Sequence, residues 1–431
     1  MPDIKYIRGE ILHFLNDPSK FSESYEYFTD GLMTIVDGKV SSLGEAKNYL
    51  SSITGEILHY EDGLIIPGFI DTHVHYPQAE MIASFGEQLL GWLENYAFPT
   101  EEKYSDLEYA LQQADFFLDQ LLRNGTTTAL VFGTVHPESV EAFFEKAQAL
   151  KLRMICGKVL MDRNAPAELL DTAERGYKES EKLIAKWHGV DRLQYAVTPR
   201  FAPTSSDEQL RLAGKLLTLA PDLYMHTHLA ENKDELLWVE KLFPDNESYL
   251  DVYSQHGLLS PRSVFAHCIY LSDKERQLMG QKGCSAAFCP TSNLFIGSGL
   301  FNLKQTEDAN ITVGLGTDVG GGTSFSILQT INEAYKVQQL QDEVLPPLKS
   351  FYMATLGGAR ALDLEGKIGN FKIGNEADFV VLDYKATPLI EMRLQHCCDI
   401  EEKLFVLSML GDDRCIRATH ILGERAYLKS L

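Results

Sequence analysis

Two histidines one residue apart, His73 and His75, close an apolar run that starts at Leu64. If that run is a buried β-strand, residues i and i+2 face the same side and both imidazoles aim at one point. A metal ion would suit that point. The pair alone is weak evidence, because two packed histidines at a strand end read the same way. Later segments strengthen it: His226-Thr227-His228-Leu229-Ala230-Glu231, then Phe265-Ala266-His267, then Gly314-Leu315-Gly316-Thr317-Asp318. Three or four histidines with a carboxylate form a ligand set for Zn²⁺ or Fe²⁺. His226 and His228 share a strand face and compete for one ligand place. His228 lies nearer the carboxyl end, three residues before Glu231, so it is the expected ligand and His226 packs behind it. Asp318 completes the metal shell, accepts a proton from water, or both. Glu231, just past a strand end, is placed to relay a proton to a substrate nitrogen. A metal would keep a nearby carboxylate ionised and draw the pKa of water toward neutrality. Such a set attacks an sp² carbon with hydroxide.

Other polar residues could read a substrate. Gln78 follows His75 by three positions. Thr198-Pro199-Arg200-Phe201 ends another strand-like run. Arg200 offers fixed donors to a carbonyl oxygen or ring nitrogen, and Phe201 a face for a planar ring. The stretch from Leu90 to Thr100, with Trp92, Tyr96 and Phe98, reads as a long connection able to act as a lid. Lys158 lies short of a strand's carboxyl end and is expected to be structural.

The elements that must position these groups alternate. Strand-like runs are Ile65 to His75, Thr126 to Gly133, Arg153 to Met161, Leu193 to Phe201, Leu223 to Ala230, Ser263 to Ile269, Gly283 to Cys289 and Ile311 to Asp318. Amphipathic segments such as Leu107 to Arg123 and Ser206 to Leu219 separate them. Eight βα repeats predict an α/β fold, a closed (β/α)8 TIM-like barrel with its chemistry at the carboxyl ends of the strands. Four of the eight strands end in His or Asp. The flanks read as β structure, with a hairpin signal at Asp37-Gly38 and an alternating strand near Phe379 to Asp383. The expected division is a small discontinuous β-sandwich domain from residues 1–66 and 367–431 around a barrel of 67–366.

Of the 431 residues, 45% are hydrophobic, enough for a large core, and the formal net charge is −22, which argues against nucleic acid or an anionic membrane as partner. Seven cysteines, without a Cys-x-x-Cys pair, suggest free thiols in a reducing compartment. Charges interrupt the apolar positions of Met1 to Phe14, and no apolar run nears the length of a membrane span, so a cytoplasmic location is expected.

These motifs resemble the amidohydrolase superfamily. The match runs from about residue 60 to 383: Pro67-Gly68-Phe69-Ile70-Asp71-Thr72-His73-Val74-His75, His228-Leu229-Ala230-Glu231, His267, Asp318 and the Ile368-Gly369 to Asp383 tail. The resemblance is most specific to members that deaminate guanine, through Tyr76-Pro77-Gln78, the loop Trp92 to Pro99, Thr198 to Phe201 and Asn232. It implies one Zn²⁺ per subunit, with Fe²⁺ the alternative, held by His73, His75, His228, His267 and Asp318. It implies a homodimer, a small-molecule substrate (guanine), catalysis by Glu231 and Asp318, and substrate contacts from Gln78, Trp92, Arg200, Phe201, His228 and His267. Two rivals are a deaminase or chlorohydrolase acting on a triazine, pterin or adenine ring, and a scaffold that has lost catalysis. Such scaffolds typically lose ligands, and this chain keeps the full set.

Overall fold

The computed structural model describes residues 2–85 and 88–430. Among the described residues, sixteen strands fall into two sheets. Those of the flanks are β1 (Ile4–Phe14), β2 (Tyr25–Val36), β3 (Lys39–Glu45) and β4 (Ile57–Pro67). The central strands are β5 (Phe69–His75), β6 (Thr126–Phe132), β7 (Arg153–Gly157), β8 (Val159–Leu160), β9 (Gln194–Pro199), β10 (Tyr224–Leu229), β11 (Ser263–His267), β12 (Ser285–Phe288) and β13 (Thr312–Leu315). The chain ends with β14 (Phe379–Asp383), β15 (Ile416–Ile421) and β16 (Glu424–Leu428).

The central sheet is parallel, in the order β13-β12-β11-β10-β9-β7-β6-β5, with the short β8 extending β7 beside β9. Its two ends meet. Thr72 donates its hydroxyl to the Leu315 carbonyl at 2.9 Å, and Asp318 donates its backbone N–H to the His73 carbonyl at 2.9 Å. The approach is close enough that a Cβ on Gly314 would stand 2.4 Å from the Thr72 side chain, so glycine is required there. Helices follow the strands, among them Leu107–Arg123, Pro137–Ala149, Ala173–Trp187, Asp207–Leu217 and Ile327–Gln339. Leu107–Arg123 shows why they form: Asp106 caps two N–H groups of the first turn, and Ala110, Ala114, Phe117, Leu118 and Leu121 supply a buried stripe at helical spacing. This is the closed (β/α)8 arrangement expected from the repeats.

The first expected strand, Ile65 to His75, is two. Residues up to Pro67 pair with β1 and β14, and Phe69 begins the barrel. Both pieces are buried on both faces, so the apolar pattern carries no boundary; Pro67-Gly68 alone marks it.

The flanking strands form one continuous hydrogen-bonded sheet, β16-β15-β14-β4-β1-β2-β3, built from both ends of the chain. Val36 pairs with Lys39 across Asp37-Gly38, both at positive φ, as a two-residue hairpin turn requires. Arg153 and Arg192 tie the barrel's floor to this sheet through Glu376 and Asp378. Beyond residue 367 the sequence suggested only β structure. Two helices, Pro388–Leu394 and Ile400–Leu410, are also present, the second packed on Ile327–Gln339. Among the described residues no helix is long and apolar enough to cross a membrane.

Candidate active site

At the carboxyl ends of β5, β10 and the segment after β13, four side chains converge. His73, His75, His228 and Asp318 each offer one ligand atom, and these atoms lie within 4.8 Å of one another. His75 Nε2 stands 3.3 Å from His73 Nε2 and 3.2 Å from His228 Nε2; Asp318 Oδ1 is 3.0 Å from His73 Nε2 and 3.3 Å from His75 Nε2. The far side of the His228 ring fixes its tautomer, and that of His73 permits the same one. His228 Nδ1 lies 2.7 Å from the Arg200 carbonyl, which can only accept, so this nitrogen carries the proton. His73 Nδ1 lies 2.7 Å from His226 Nε2 and can donate to it. The Nε2 of His228 is then a bare lone pair, and that of His73 is one when its Nδ1 donates to His226. Burial also favours the neutral imidazoles, holding His75 down to about 4 and lowering His73 and His228. Burial would raise Asp318, but a proton on His73 or His75 beside it would hold its carboxyl well below the ordinary range. Clustered acceptors without protons repel one another; a divalent cation at their centre turns that repulsion into coordination, and the donor set fits one.

The fifth expected ligand stands apart from these four. His267 Nε2 is 3.7 Å from Asp318 Oδ2 and 3.4 Å from Glu231 Oε2, while its Nδ1 lies 2.8 Å from Asn293 Oδ1. Glu231 is buried, and its Oε1 accepts from the Ser298 hydroxyl at 2.8 Å. Burial, then the nearby Asp318, pushes its carboxyl up to about 8. The sequence positions Glu231 locally. Asn232 caps helix Lys233–Leu242, and Glu235 closes the capping box by accepting the N–H groups of Glu231 and Asn232 at 2.8 and 3.0 Å. Tyr253 adds a cross-brace, accepting from the Ala202 N–H at 2.9 Å and donating to the His228 carbonyl at 3.0 Å.

A pocket opens over the cluster. Gln78, Trp92, Arg200, Phe201, Glu231 and His267 all line it, so the sequence-derived substrate residues are brought together. Its roof is the stretch expected to be a loop. That stretch is instead a chain of short helical turns, Leu89–Trp92, Leu93–Ala97, Phe98–Glu101 and Glu102–Ser105, which bury Leu89, Trp92 and Leu93. Lys158 is buried elsewhere and paired with Asp171 and Glu179, as its structural reading anticipated.

Several residues of the site escape sequence reasoning. Glu101, fully buried, accepts from Gln78 Nε2 at 2.8 Å and from Arg200 Nη1 at 2.7 Å. Nothing in its local spacing signals this. Asn293 and Ser298 follow β12, where the strand-end rule, pursued past the last apolar residue, would have found them.

The chain belongs to the amidohydrolase family, which it matches over residues 64–425. Within that family it is 52% identical over 429 residues to the guanine deaminase of Escherichia coli (strain K12), covering 98% of each chain. The solved E. coli guanine deaminase has a TM-score of 0.97, covering 99% of this chain and 100% of that one. The guanine deaminase from C. acetobutylicum, with guanine bound in its active site, is 29% identical, with a TM-score of 0.90 and coverage of 99% and 100%.

Proposed function

We propose that this protein hydrolyses guanine to xanthine and ammonia. The observation that carries the reading is one cavity in which a candidate metal cluster, a buried proton carrier and the donor-only guanidinium of Arg200 face the same space, in a chain alike throughout its length to the E. coli guanine deaminase. His73, His75, His228 and Asp318 would hold one divalent ion, zinc in our reading with Fe²⁺ the alternative, and the ion would supply Lewis acidity that makes hydroxide available near neutral pH.

The chain's own groups do the rest. Arg200 donates to guanine O6 and has no acceptor to offer an amino group, which favours guanine over adenine. Phe201 and Trp92 flank the ring plane and, with Leu89 and Leu93, exclude water. Asp318 takes the proton of the attacking water. Glu231 gives a proton to N3 as the oxygen bonds to C2, so negative charge does not accumulate on the ring; the proton held by Asp318 then passes to the departing amine, and the proton of the new C2 hydroxyl returns to Glu231. His267, between Glu231 and Asp318, orients the attacking water. The C2–N bond breaks, ammonia leaves, and a carbonyl remains at C2.

The enzyme works in the cytoplasm as a homodimer in this reading; seven free cysteines and the family resemblance support it, and sedimentation tests the dimer. Purified protein loaded with zinc and given guanine or adenine, with products separated by chromatography, tests the reaction. Xanthine from guanine with adenine untouched is expected. Turnover of adenine or a triazine without guanine would overturn it.

A further inference from the structure

Glu101 stands out as a buried anion that the reaction above does not use. Both of its oxygens are committed, Oε1 to Gln78 and Oε2 to Arg200. The geometry points to Glu101 as the positioning residue that sets both base-reading side chains and fixes the charge at that end of the cavity. This rests on the guanine reading.

The orientation argument comes from donor and acceptor identities. Gln78 Oε1 accepts from the Gly320 N–H at 3.3 Å, and its Nε2 donates to Glu101. A flipped amide would set oxygen against carboxylate and N–H against N–H. Glu101 therefore fixes the orientation of the Gln78 amide, whose Nε2 also lies 3.4 Å from His75 Nδ1. Arg200 is clamped between the same carboxylate and the Phe98 ring, 5.3 Å from its centroid. Phe98 and Glu101 belong to one short helix, which continues the roof segment carrying Trp92. One carboxylate thus ties the ends of β5 and β9 to the roof.

The charge argument concerns product. Arg200 is almost wholly buried, and an uncompensated guanidinium there would favour anionic ligands. Xanthine carries a second carbonyl beside its ring N–H groups and ionises more readily than guanine. Glu101 neutralises Arg200, so the site holds neutral guanine without gripping the xanthine anion.

The test uses the zinc-loaded enzyme and the variants Glu101→Gln and Glu101→Asp. Losing a charge-assisted bond should raise the guanine KM of Glu101→Gln about tenfold to a hundredfold, with kcat changed less and zinc content unchanged. The ratio of the xanthine inhibition constant to the guanine KM should fall about tenfold, and fall further as pH rises and xanthine ionises. Glu101→Asp keeps the charge with a shorter reach, so its KM should rise while the ratio stays near wild type; it carries the test if Glu101→Gln does not fold. Equal changes in both constants at every pH, or no change, would overturn the inference. Wild-type protein unable to convert guanine would instead overturn the functional reading.

Discussion

Replacing Glu231 by glutamine isolates proton transfer from metal binding. The side chain is buried, and Oε1 accepts from the Ser298 hydroxyl at 2.8 Å. Glutamine has nearly the same volume, and its amide oxygen can keep that bond, so the local fold should survive. Glu231 lies outside the four-atom cluster, so one ion per chain should still bind. What is lost is a group able to deliver a proton at N3. General acid–base catalysis by one positioned side chain is worth about 10²- to 10⁴-fold, or about 3 to 5 kcal/mol of barrier. The loss should appear in kcat at saturating guanine, with KM nearly constant. Ser298→Ala offers an internal comparison. It removes one hydrogen bond to a carboxylate, worth about 1.5 to 3 kcal/mol when fully lost, but leaves the proton carrier in place. Its kcat should drop roughly tenfold, well short of the Glu231→Gln effect. Turnover is followed by xanthine formation and metal content by emission spectrometry. A Glu231→Gln enzyme with full metal content and turnover within about tenfold of wild type, outside the range for acid–base loss, would refute the role, and Asp318 would have to carry both protons.

Three further outcomes follow from named contacts. His226→Leu removes the acceptor from His73 Nδ1, 2.7 Å away; metal affinity should fall about 10- to 100-fold in competition with a chelator, and unchanged affinity would deny His226 any hold on the ligand. Trp92→Leu keeps an apolar roof but removes the ring, so the guanine KM should rise about two- to tenfold with kcat little changed. His420, buried under Phe379 at a ring distance of 4.2 Å and bonded to the Tyr60 hydroxyl at 2.7 Å, is held by burial down to about 4 from its ordinary 6.5. Its neutral form is favoured in the folded chain, so the unfolded chain takes the proton first as pH falls. Its stabilising contribution is complete above 6.5 and is lost toward pH 4, by about 3 kcal/mol in all; urea midpoints of wild type and His420→Phe should converge across that window, and a pH-independent gap would contradict it.

The converging cluster was legible because a parallel barrel places chemistry at strand ends, a rule that His73, His228 and Asp318 obey without knowledge of any contact. His226 was separable from His228 by depth along one strand face, and it does back His73. The limits were equally physical. His267 ends its strand as the others do and lies beside both Glu231 and Asp318, at 3.4 and 3.7 Å; offsets of ångströms among such neighbours are not encoded in spacing. Glu101 lies in a segment without regular period, and its two partners are 23 and 99 residues away. The helix Ile400–Leu410 was missed because its residues are apolar around most of the circumference, leaving no stripe against which to read a 3.6-residue period.

The ligand geometry and the closure of the barrel are one construction. Asp71 is fully buried on β5 and accepts from the Thr317 N–H at 3.1 Å, from the Thr317 hydroxyl and from the His73 N–H at 3.2 Å. It therefore grips the residue before Asp318 and the backbone of His73 at once. The Asp318 N–H returns to the His73 carbonyl, and the His75 N–H reaches the Val319 carbonyl at 2.9 Å. Asp318 itself sits at φ 49°, a left-handed conformation that turns its carboxylate out of the strand direction. A non-glycine residue pays to adopt it, and the bonds across the seam hold it there. The three cluster residues nearest the seam cannot drift apart unless the first and last strands separate. The fourth, His228, comes from the opposite wall and is held by the Arg200 carbonyl, the same residue whose side chain is proposed to read the base. The histidine–aspartate cluster and the cavity wall are in this way referred to one backbone, with Glu101 fixing the far end of Arg200.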